Sequence, residues 1–288
     1  MSHLVLGTAQ LGMKYGVANT TGQPDVETVV DIIRVAWEGG IRAFDTAQAY
    51  GESERALGRA FRALGITEQV EVTTKLAKDI DVNDEAVVVK AVKGSLDRLG
   101  VPILHAVLLH TEGEIGRLPA LLSHSFTRHI GLSVYSPERA LKALEMEDMS
   151  MLQMPGNVLD RRFERAGIFE GAKERGVQVY LRSVFLQGLL LIDPEQLPSH
   201  LKFALPVIQT MASLAHRLRV SSRVLALQYV KQAFPDAHVI IGAETPQQVQ
   251  ENISLWKAVP LLGIIDLIRE AFDGVDERVV DPRMWPKG

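Results

Sequence analysis

The stretch "IRAFDTAQAYGESE" (41–54) joins a short apolar run to a polar segment that carries two chemically versatile side chains. The run at 41–45 has the length and the aliphatic and aromatic content of a buried β-strand. Asp45 ends this run and Tyr50 follows five positions later, and neither a helical nor a strand period links both residues to a core. The stretch therefore predicts a strand followed by a loop that presents a carboxylate and a phenol.

The run at 41–45 is one of eight runs of similar length and composition. The other runs lie at 4–9, 70–75, 105–110, 129–133, 151–154, 177–181 and 238–242. Amphipathic patterns typical of helices lie between the runs, at 25–40, 84–100, 162–176, 205–218 and 222–233. The first of these patterns begins at Asp25, a residue type that favours the N-cap position, and it ends at Gly39 and Gly40.

This alternation of strands and helices predicts an α/β fold, a (β/α)8 TIM barrel of parallel strands with helices outside. We expect one such domain to span residues 1–288, a length that α/β barrels commonly reach. An open, doubly wound sheet is the alternative. The even spacing disfavours it, as does "LGTAQLG" (6–12), which lacks the GxGxxG pattern. The longest interruption, 182–205, contains two prolines and is expected on the active-site face.

The composition excludes several classes of function. The chain has no cysteine, so it has no thiolate nucleophile and no disulfide framework, which fits a cytoplasmic location. Its net charge of −4 disfavours nucleic acid and anionic membranes as partners. The sequence has no apolar run of the roughly 18 residues that a membrane span requires, and its start does not resemble a signal peptide. We expect a small-molecule enzyme that is a monomer or a dimer.

Four polar residues lie at or just after the ends of successive predicted strands: Asp45, Tyr50, Lys75 and His110. Active sites of such barrels lie at the carboxyl ends of the strands, so these side chains are expected to converge. Each residue has a simpler interpretation when it is taken alone. Asp45 suits a helix N-cap, Tyr50 a loop aromatic, Lys75 a solvated surface position and His110 a hydrogen-bonded place at the barrel rim. Their joint position favours a shared site.

The chemistry of this quartet suits protonation of an oxygen that gains negative charge. A phenol has a pKa near 10, which a nearby ammonium lowers, and a carboxylate keeps a buried lysine charged. Asp45, Lys75 and Tyr50 therefore form a plausible relay for a phenol acting as general acid, with His110 orienting a carbonyl oxygen. A metal site is not expected. His105 lies five positions before His110, so in a strand the two point to opposite faces.

Six motifs, in this order, resemble those of the aldo-keto reductase superfamily. They are "FDTAQAYGESERALGRAF" (44–61), "VTTKL" (72–76), "VLLH" (107–110), "IGLSVYS" (130–136), "RSVFLQGLL" (182–190) and "VIIGAETPQQVQEN" (239–252). The resemblance implies a (β/α)8 barrel that binds a nicotinamide cofactor without a Rossmann domain. It also implies that Tyr50 is the general acid, with Asp45, Lys75 and His110 around it.

The resemblance further implies a set of cofactor contacts. Gly7, Thr8, Ala9 and Asp45 would lie near the nicotinamide ribose, and Ser133 and Gln153 would hydrogen-bond the carboxamide. Along the pyrophosphate it places Arg182, Ser183, Phe185, Gln187 and Gly188. At the adenosine end it places Ile241, Gly242, Ala243, Glu244, Gln248, Glu251 and Asn252.

Four positions depart from the pattern of the superfamily. Arg182 replaces an aromatic ring that stacks on the nicotinamide in many relatives, and it is either a stacking group, which is favoured, or an anion clamp. Glu244 and Gln248 stand where NADP-specific relatives often have arginines, so we expect weak discrimination between NADP(H) and NAD(H). His105 replaces a common aspartate, and a structural role is expected for it.

Taken together, these features predict an NAD(P)H-dependent oxidoreductase that reduces an aldehyde or ketone to an alcohol, or runs the reverse reaction, with Tyr50 as general acid or base. Sugar-derived carbonyl compounds are among the candidate substrates. One alternative is a non-catalytic, cofactor-sensing interaction protein on the same barrel. Another is a lyase or isomerase that needs no nicotinamide. The loop at 11–24, which carries Lys14, Tyr15 and Asn19, is either a solvated loop or a substrate lid.

Overall fold

A computed structural model of the chain describes residues 4–19, 22–110 and 116–286. Its eight parallel strands are hydrogen-bonded in sequence order, and the last pairs with the first to close a barrel. The strands are β1 (Leu4–Gly7), β2 (Ala43–Asp45), β3 (Glu71–Leu76), β4 (Leu104–Leu109), β5 (Thr127–Ser133), β6 (Met151–Pro155), β7 (Gln178–Arg182) and β8 (His238–Gly242). Each overlaps one predicted run. The predicted (β/α)8 barrel is confirmed, and the open-sheet alternative is wrong.

Helices surround the barrel. The α-helices are α1 (Ala9–Gly12), α2 (Val26–Glu38), α3 (Ser53–Leu64), α4 (Glu85–Leu99), α5 (Leu118–Ser123), α6 (Pro137–Leu144), α7 (Arg162–Arg165), α8 (Ile168–Glu174), α9 (Leu205–Leu218), α10 (Ser222–Ala233), α11 (Pro246–Lys257), α12 (Ile264–Ala271) and α13 (Glu277–Val280). Short 3₁₀ helices span Leu186–Leu191, Pro194–Gln196, Ser199–Ala204 and Pro282–Met284. The exact domain limits of 1–288 stay a prediction, because residues 1–3, 20–21, 111–115 and 287–288 lie outside the described part of the chain.

Local sequence signals account for where the helices begin and end. Asp25 caps α2 as expected, since its carboxylate accepts a hydrogen bond from the backbone N–H of Thr28 at 2.8 Å. The single helix predicted over 162–176 is wrong in one respect, because the chain forms two helices there. Gly167 interrupts it with a φ of +70°, a left-handed conformation that a continuous helix cannot contain.

The register of the strands aligns their carboxyl ends. Gly7 on β1 lies opposite Asp45 on β2, and Asp45 lies opposite Thr73 on β3. Lys75, two residues further along β3, lies opposite Leu108 on β4. Side chains from the ends of β1 to β4 therefore meet above the same barrel mouth.

Side chains pack together inside the barrel. A layer of small and large apolar residues fills it: Val5, Ala43, Ala106, Leu108, Met151, Tyr180 and Ile240. A second, larger apolar cluster lies between the strands and the surrounding helices. This packing makes the barrel a rigid support for groups at its rim.

The opposite end of the barrel contains a histidine cluster. His105, near the start of β4, lies 3.1 Å from the phenol oxygen of Tyr180 through Nε2, and its ring centroid is 5.0 Å from that of His129. The ring of Tyr180 also stacks on His238 at 4.3 Å. His105 therefore lies away from His110, which agrees with the structural role expected for it.

Within the described residues, no helix combines the length and the apolar character needed to cross a membrane.

Candidate active site

The structure brings the four predicted catalytic residues together at the barrel mouth. The Nζ atom of Lys75 lies 2.8 and 2.7 Å from the two carboxylate oxygens of Asp45. The same Nζ is 5.3 Å from the ring centroid of Tyr50, whose ring meets that of His110 edge-on at 5.6 Å. The Asp45 and Lys75 side chains are 5% and 0% exposed, so a helix N-cap and a surface lysine are both wrong interpretations.

Hydrogen bonds from the same sequence motif hold the Tyr50 loop in place. The hydroxyl of Ser53 lies 2.8 Å from that of Thr8 and 2.9 Å from that of Thr46, and all three residues are buried. Gln48 accepts a hydrogen bond from the backbone of Ala77 and donates one to Ser95, each at 2.9 Å. These contacts tie the loop to β1, β3 and α4, which fixes the position of the phenol.

A glycine permits the close approach of α1 to this loop. A Cβ atom at Gly12 would lie 1.8 Å from the carbonyl oxygen of Tyr50. The backbone N–H of Glu52 donates to the Gly12 carbonyl at 3.2 Å. Any larger side chain at position 12 would push the phenol away from the barrel mouth.

All three hydrogens of the Lys75 ammonium have acceptors close by. Two acceptors are the Asp45 oxygens, and the third is the carbonyl oxygen of Thr46 at 2.7 Å. Burial lowers the pKa of Lys75, and the charge of Asp45 opposes this effect. The ammonium therefore donates its hydrogen bonds to Asp45 and Thr46 and donates none to Tyr50.

The pKa of Tyr50 differs from what the sequence predicted. The nearby ammonium was expected to lower the pKa of Tyr50, but the pKa of Tyr50 is raised. Burial of the phenol is the main cause, the negative charge of Asp45 adds to it, and the guanidinium of Arg182 opposes it. The phenol is therefore protonated at neutral pH, as a general acid must be.

His110 is neutral in this environment. Burial lowers the pKa of its imidazole to about 4, and the charges of Lys75, Arg182 and Lys78 add to the effect. The buried Nδ1 atom of His110 has no hydrogen-bond partner among the described residues. The interpretation of His110 as a hydrogen-bonded histidine at the barrel rim therefore does not hold for this atom. A neutral imidazole has one N–H that can donate to an oxygen.

Ser133 and Gln153 lie beneath the mouth and connect to the catalytic carboxylate. The Ser133 hydroxyl donates to the side-chain oxygen of Gln153 at 3.1 Å, and the Gln153 amide donates to Asp45 at 2.6 Å. Both residues are buried. The link from Gln153 to Asp45 was not expected from the sequence, which placed Gln153 only against the nicotinamide carboxamide.

A cleft of about 340 Å³ runs from the catalytic residues towards the start of α11. Most of the predicted cofactor contacts line it: Gly7, Thr8, Ala9, Asp45, Arg182, Ser183, Phe185, Gln187, Gly188, Ile241, Gly242, Ala243, Glu244 and Gln248. Ser133, Gln153, Glu251 and Asn252 do not line the cleft.

The cleft joins the catalytic phenol to a helix N-terminus. At one end it contains the phenol of Tyr50, and at the other it reaches the N-terminus of α11, where Thr245 accepts a hydrogen bond from the backbone of Gln248. A helix N-terminus favours phosphate groups. Nearby, the buried side-chain amide nitrogen of Asn252 has no hydrogen-bond partner among the described residues.

Sequence comparison agrees with this geometry. Residues 3–262 match the model of the Aldo/keto reductase family. The chain belongs to this family. Aldo-keto reductases are oxidoreductases that use nicotinamide cofactors.

Individual relatives of this aldo-keto reductase are distant. It is 28% identical to aldo-keto reductase YhdN of Bacillus subtilis over 66% of this chain and 60% of that protein, so this match spans less than two thirds of the relative. It is 24% identical to the NADH-specific methylglyoxal reductase of Escherichia coli, over 88% and 89% of the two chains. A third relative, the L-glyceraldehyde 3-phosphate reductase of Escherichia coli O157:H7, is 22% identical over 97% and 91%.

The fold is also shared with solved structures. A thermostable aldo-keto reductase in complex with the inhibitor epalrestat superposes with a TM-score of 0.72 at 19% identity, and the match covers 94% of this chain and 95% of that one.

The loop after β1 in this aldo-keto reductase lies across the cleft. The backbone N–H of Val17 donates to the carbonyl of Gln187 at 2.9 Å, which connects the loop to the segment after β7. Tyr15 lines the cleft, and burial raises the pKa of its phenol to about 12. Lys14 is exposed and Asn19 is buried. The solvated-loop interpretation therefore holds for Lys14 but not for Tyr15.

Sequence reasoning missed Arg223, which also lines the cleft. Its guanidinium donates to the Asn252 side chain at 3.0 Å and lies 3.4 Å from the Glu251 carboxylate. Arg223 is on α10, far from the recognised motifs, so no local signal could have identified it. Its positive charge, which is paired with Glu251, was not considered when cofactor choice was predicted from Glu244 and Gln248.

Proposed function

We propose that this protein is an NAD(P)H-dependent oxidoreductase that reduces an aldehyde or ketone to an alcohol, with Tyr50 as the general acid. The observation that carries the proposal is the cluster of Tyr50, His110 and the Asp45–Lys75 pair, of which Tyr50 and Asp45 line the cleft. When bound, the nicotinamide would supply the hydride. The protein aligns the carbonyl group and provides the proton.

The electrostatics of the site support the role of general acid proposed for Tyr50. The raised pKa of Tyr50 keeps its phenol protonated, so the acid form is ready when the carbonyl oxygen gains negative charge. The neutral His110 imidazole can donate a hydrogen bond to the same oxygen. The oxidation of an alcohol would need the phenolate, which burial and the charge of Asp45 disfavour.

Weak discrimination between the two cofactors is part of the proposal. Glu244 and Arg223 both line the adenosine end of the cleft, so opposite charges face the region of the ribose 2′ position. The carboxylate would repel the 2′-phosphate of NADPH, whereas the guanidinium would attract it. The Escherichia coli relative named an NADH-specific reductase supports use of NADH at this fold.

The substrate proposed is a small carbonyl compound, and a sugar-derived one is included. Two relatives are named for the reduction of methylglyoxal and of L-glyceraldehyde 3-phosphate, one uncharged and the other anionic. These names support a short aldehyde or ketone but do not choose between neutral and charged substrates. A cytoplasmic location, a monomeric or dimeric state and the lack of nucleic-acid or membrane partners stay predictions from composition.

The proposal is tested by cofactor binding and turnover, measured on the same preparation. NADH and NADPH binding is followed by the fluorescence of the protein and of the bound cofactor. Turnover is followed by loss of cofactor absorbance with aliphatic, aryl, sugar and sugar-phosphate aldehydes. Binding together with turnover is the expected result. Binding without turnover of any aldehyde would favour the cofactor-sensing alternative, and no binding would contradict both.

A further inference from the structure

Arg182 brings a positive charge to the catalytic end of the cleft. It ends β7 and lines the same cavity as Tyr50 and Asp45. Its charge lowers the pKa values of Tyr50 and His110, which agrees with a guanidinium close to both groups.

Neighbouring groups hold the guanidinium in one orientation. It lies 4.1 Å from the ring centroid of Tyr135 and donates to the carbonyl oxygen of Val134 at 3.0 Å. Longer contacts of 3.4 Å join it to the hydroxyls of Ser133 and Ser183. All of these oxygen acceptors are neutral, so they position the guanidinium without compensating its charge.

The carboxylates of Asp45 and Asp281 already form ion pairs with other cations. Asp45 is paired with Lys75 and also accepts from Gln153. Arg283, which lies 4.0 Å from the same Tyr135 ring, has Asp281 as its own partner. Within residues 4–19, 22–110 and 116–286, no carboxylate forms an ion pair with Arg182. A partly buried guanidinium in this position favours an anion from outside the chain.

We propose that Arg182 binds an anionic group of the substrate, a carboxylate or a phosphate, while Tyr50 contacts its carbonyl oxygen. This inference rests on the proposed reductase function and deepens it. The substrate class is then an aldehyde or ketone that carries a carboxylate or phosphate. A planar guanidinium binds either group through two parallel hydrogen bonds, which would orient the carbonyl towards the phenol.

The cofactor offers two competing roles for Arg182: stacking on the nicotinamide, which the resemblance favours, and binding of the pyrophosphate. Arg182 would then contribute to cofactor affinity and not to the choice of substrate. The test therefore separates the two effects. Charged and neutral aldehydes are compared in matched pairs, succinic semialdehyde with its methyl ester and glyceraldehyde 3-phosphate with glyceraldehyde, at saturating cofactor. Dissociation constants for NADH and NADPH are measured in parallel.

The informative variant is Arg182→Gln, which removes the charge but keeps a polar side chain. In the wild type we expect kcat/KM for each charged aldehyde to exceed that for its neutral partner by roughly tenfold or more. Arg182→Gln should abolish this preference through KM and change cofactor dissociation constants by less than about twofold. Arg182→Lys should recover part of the preference, because the charge returns without the planar pair of donors.

Arg283→Gln is the matched control. The guanidinium of Arg283 contacts the same Tyr135 ring, but it already has Asp281 as its carboxylate partner. The substitution should leave the preference for charged aldehydes intact. Equal rates for charged and neutral aldehydes in the wild type would overturn the inference. So would an Arg182→Gln protein that binds cofactor poorly but keeps the preference, which would assign the guanidinium to the cofactor.

Failure of the proposed reductase function would be distinguishable. If no aldehyde is reduced, binding of γ-hydroxybutyrate to the cofactor-loaded protein is measured by calorimetry for the wild type and for both Arg182 variants. Binding that weakens in Arg182→Gln and partly returns in Arg182→Lys would support the anion site without reductase activity. Binding that is absent, or that is equal in all three proteins, would overturn it.

Discussion

Lys75 and Asp45 form a buried ion pair at the carboxyl ends of adjacent strands, with Nζ–O distances of 2.8 and 2.7 Å. The third hydrogen of the ammonium is directed to the carbonyl of Thr46 at 2.7 Å. Lys75 therefore donates no hydrogen bond to Tyr50, whereas the negative charge of Asp45 raises the pKa of the phenol. This relationship determines what substitutions at either position should do.

Lys75→Met should destabilise the protein and slow turnover. The substitution leaves the Asp45 carboxylate buried without its cation, which costs about 3–5 kcal/mol of unfolding free energy in comparable cases. It also leaves a negative charge beside the phenol, so the upper apparent pKa of the pH–rate profile should rise. Urea unfolding and the pH dependence of kcat/KM measure the two effects. Lys90→Met, at an exposed position on α4, is the control. An active Lys75→Met protein with an unchanged pH profile would contradict the proposed relay.

Tyr50→Phe should abolish reduction while cofactor binding stays close to that of the wild type. Loss of a positioned general acid lowers rates by roughly 10²–10⁴-fold. Steady-state rates and cofactor fluorescence titrations measure the two properties. Tyr180→Phe removes a phenol from the opposite end of the barrel and should keep its activity. A Tyr50→Phe enzyme with more than a third of the wild-type kcat would exclude the phenol as general acid.

Acid should destabilise the protein between pH 6.5 and about 4, because His110 stays neutral in the folded state over this range. The pKa of His110 is lowered from 6.5 to about 4 in the folded state, so the unfolded chain binds this proton first as the pH falls. The stabilising contribution is complete above pH 6.5 and is lost progressively as the pH falls towards 4. The loss from this residue is at most about 3 kcal/mol, because part of its ring is exposed to solvent.

The measurement for this prediction is the unfolding free energy in urea at several pH values. His110→Gln should show a shallower decline between pH 6.5 and 4 than the wild type. His105 and His129 also have lowered pKa values, so some decline should persist in that variant. Identical slopes for the wild type and His110→Gln would show that His110 does not contribute.

Glu244→Arg should shift cofactor preference towards NADPH. In the wild type we expect both cofactors to be used, with NADPH favoured by less than about tenfold, or ~1.4 kcal/mol. Replacing the carboxylate by a guanidinium removes a repulsion and adds an attraction to the 2′-phosphate. Values of kcat/KM for NADPH and NADH decide the matter, and Arg223→Gln should shift the preference in the opposite direction. A hundredfold NADPH preference in the wild type would mean that another group, with Arg223 the first candidate, dominates the phosphate site.

The sequence by itself determined the architecture and most of the catalytic group. Apolar runs and amphipathic patterns are local properties, so they identified eight strands and many helices without tertiary information. The barrel topology then placed Asp45, Tyr50, Lys75 and His110 at one rim, because parallel strands end at the same face. The resemblance of the motifs to a known superfamily placed most of the residues that line the cleft.

Only the tertiary structure decided the electrostatics and the long-range partners. The direction of the Tyr50 pKa shift depends on burial and on where the Lys75 hydrogens point, and no sequence pattern contains either quantity. Arg223 reaches Asn252 from a different helix, and Val17 meets Gln187 from the other side of the cleft. Such contacts join residues 29 and 170 positions apart in the chain. They follow from how the barrel packs its helices and loops, because no local propensity relates residues at such distances along the chain.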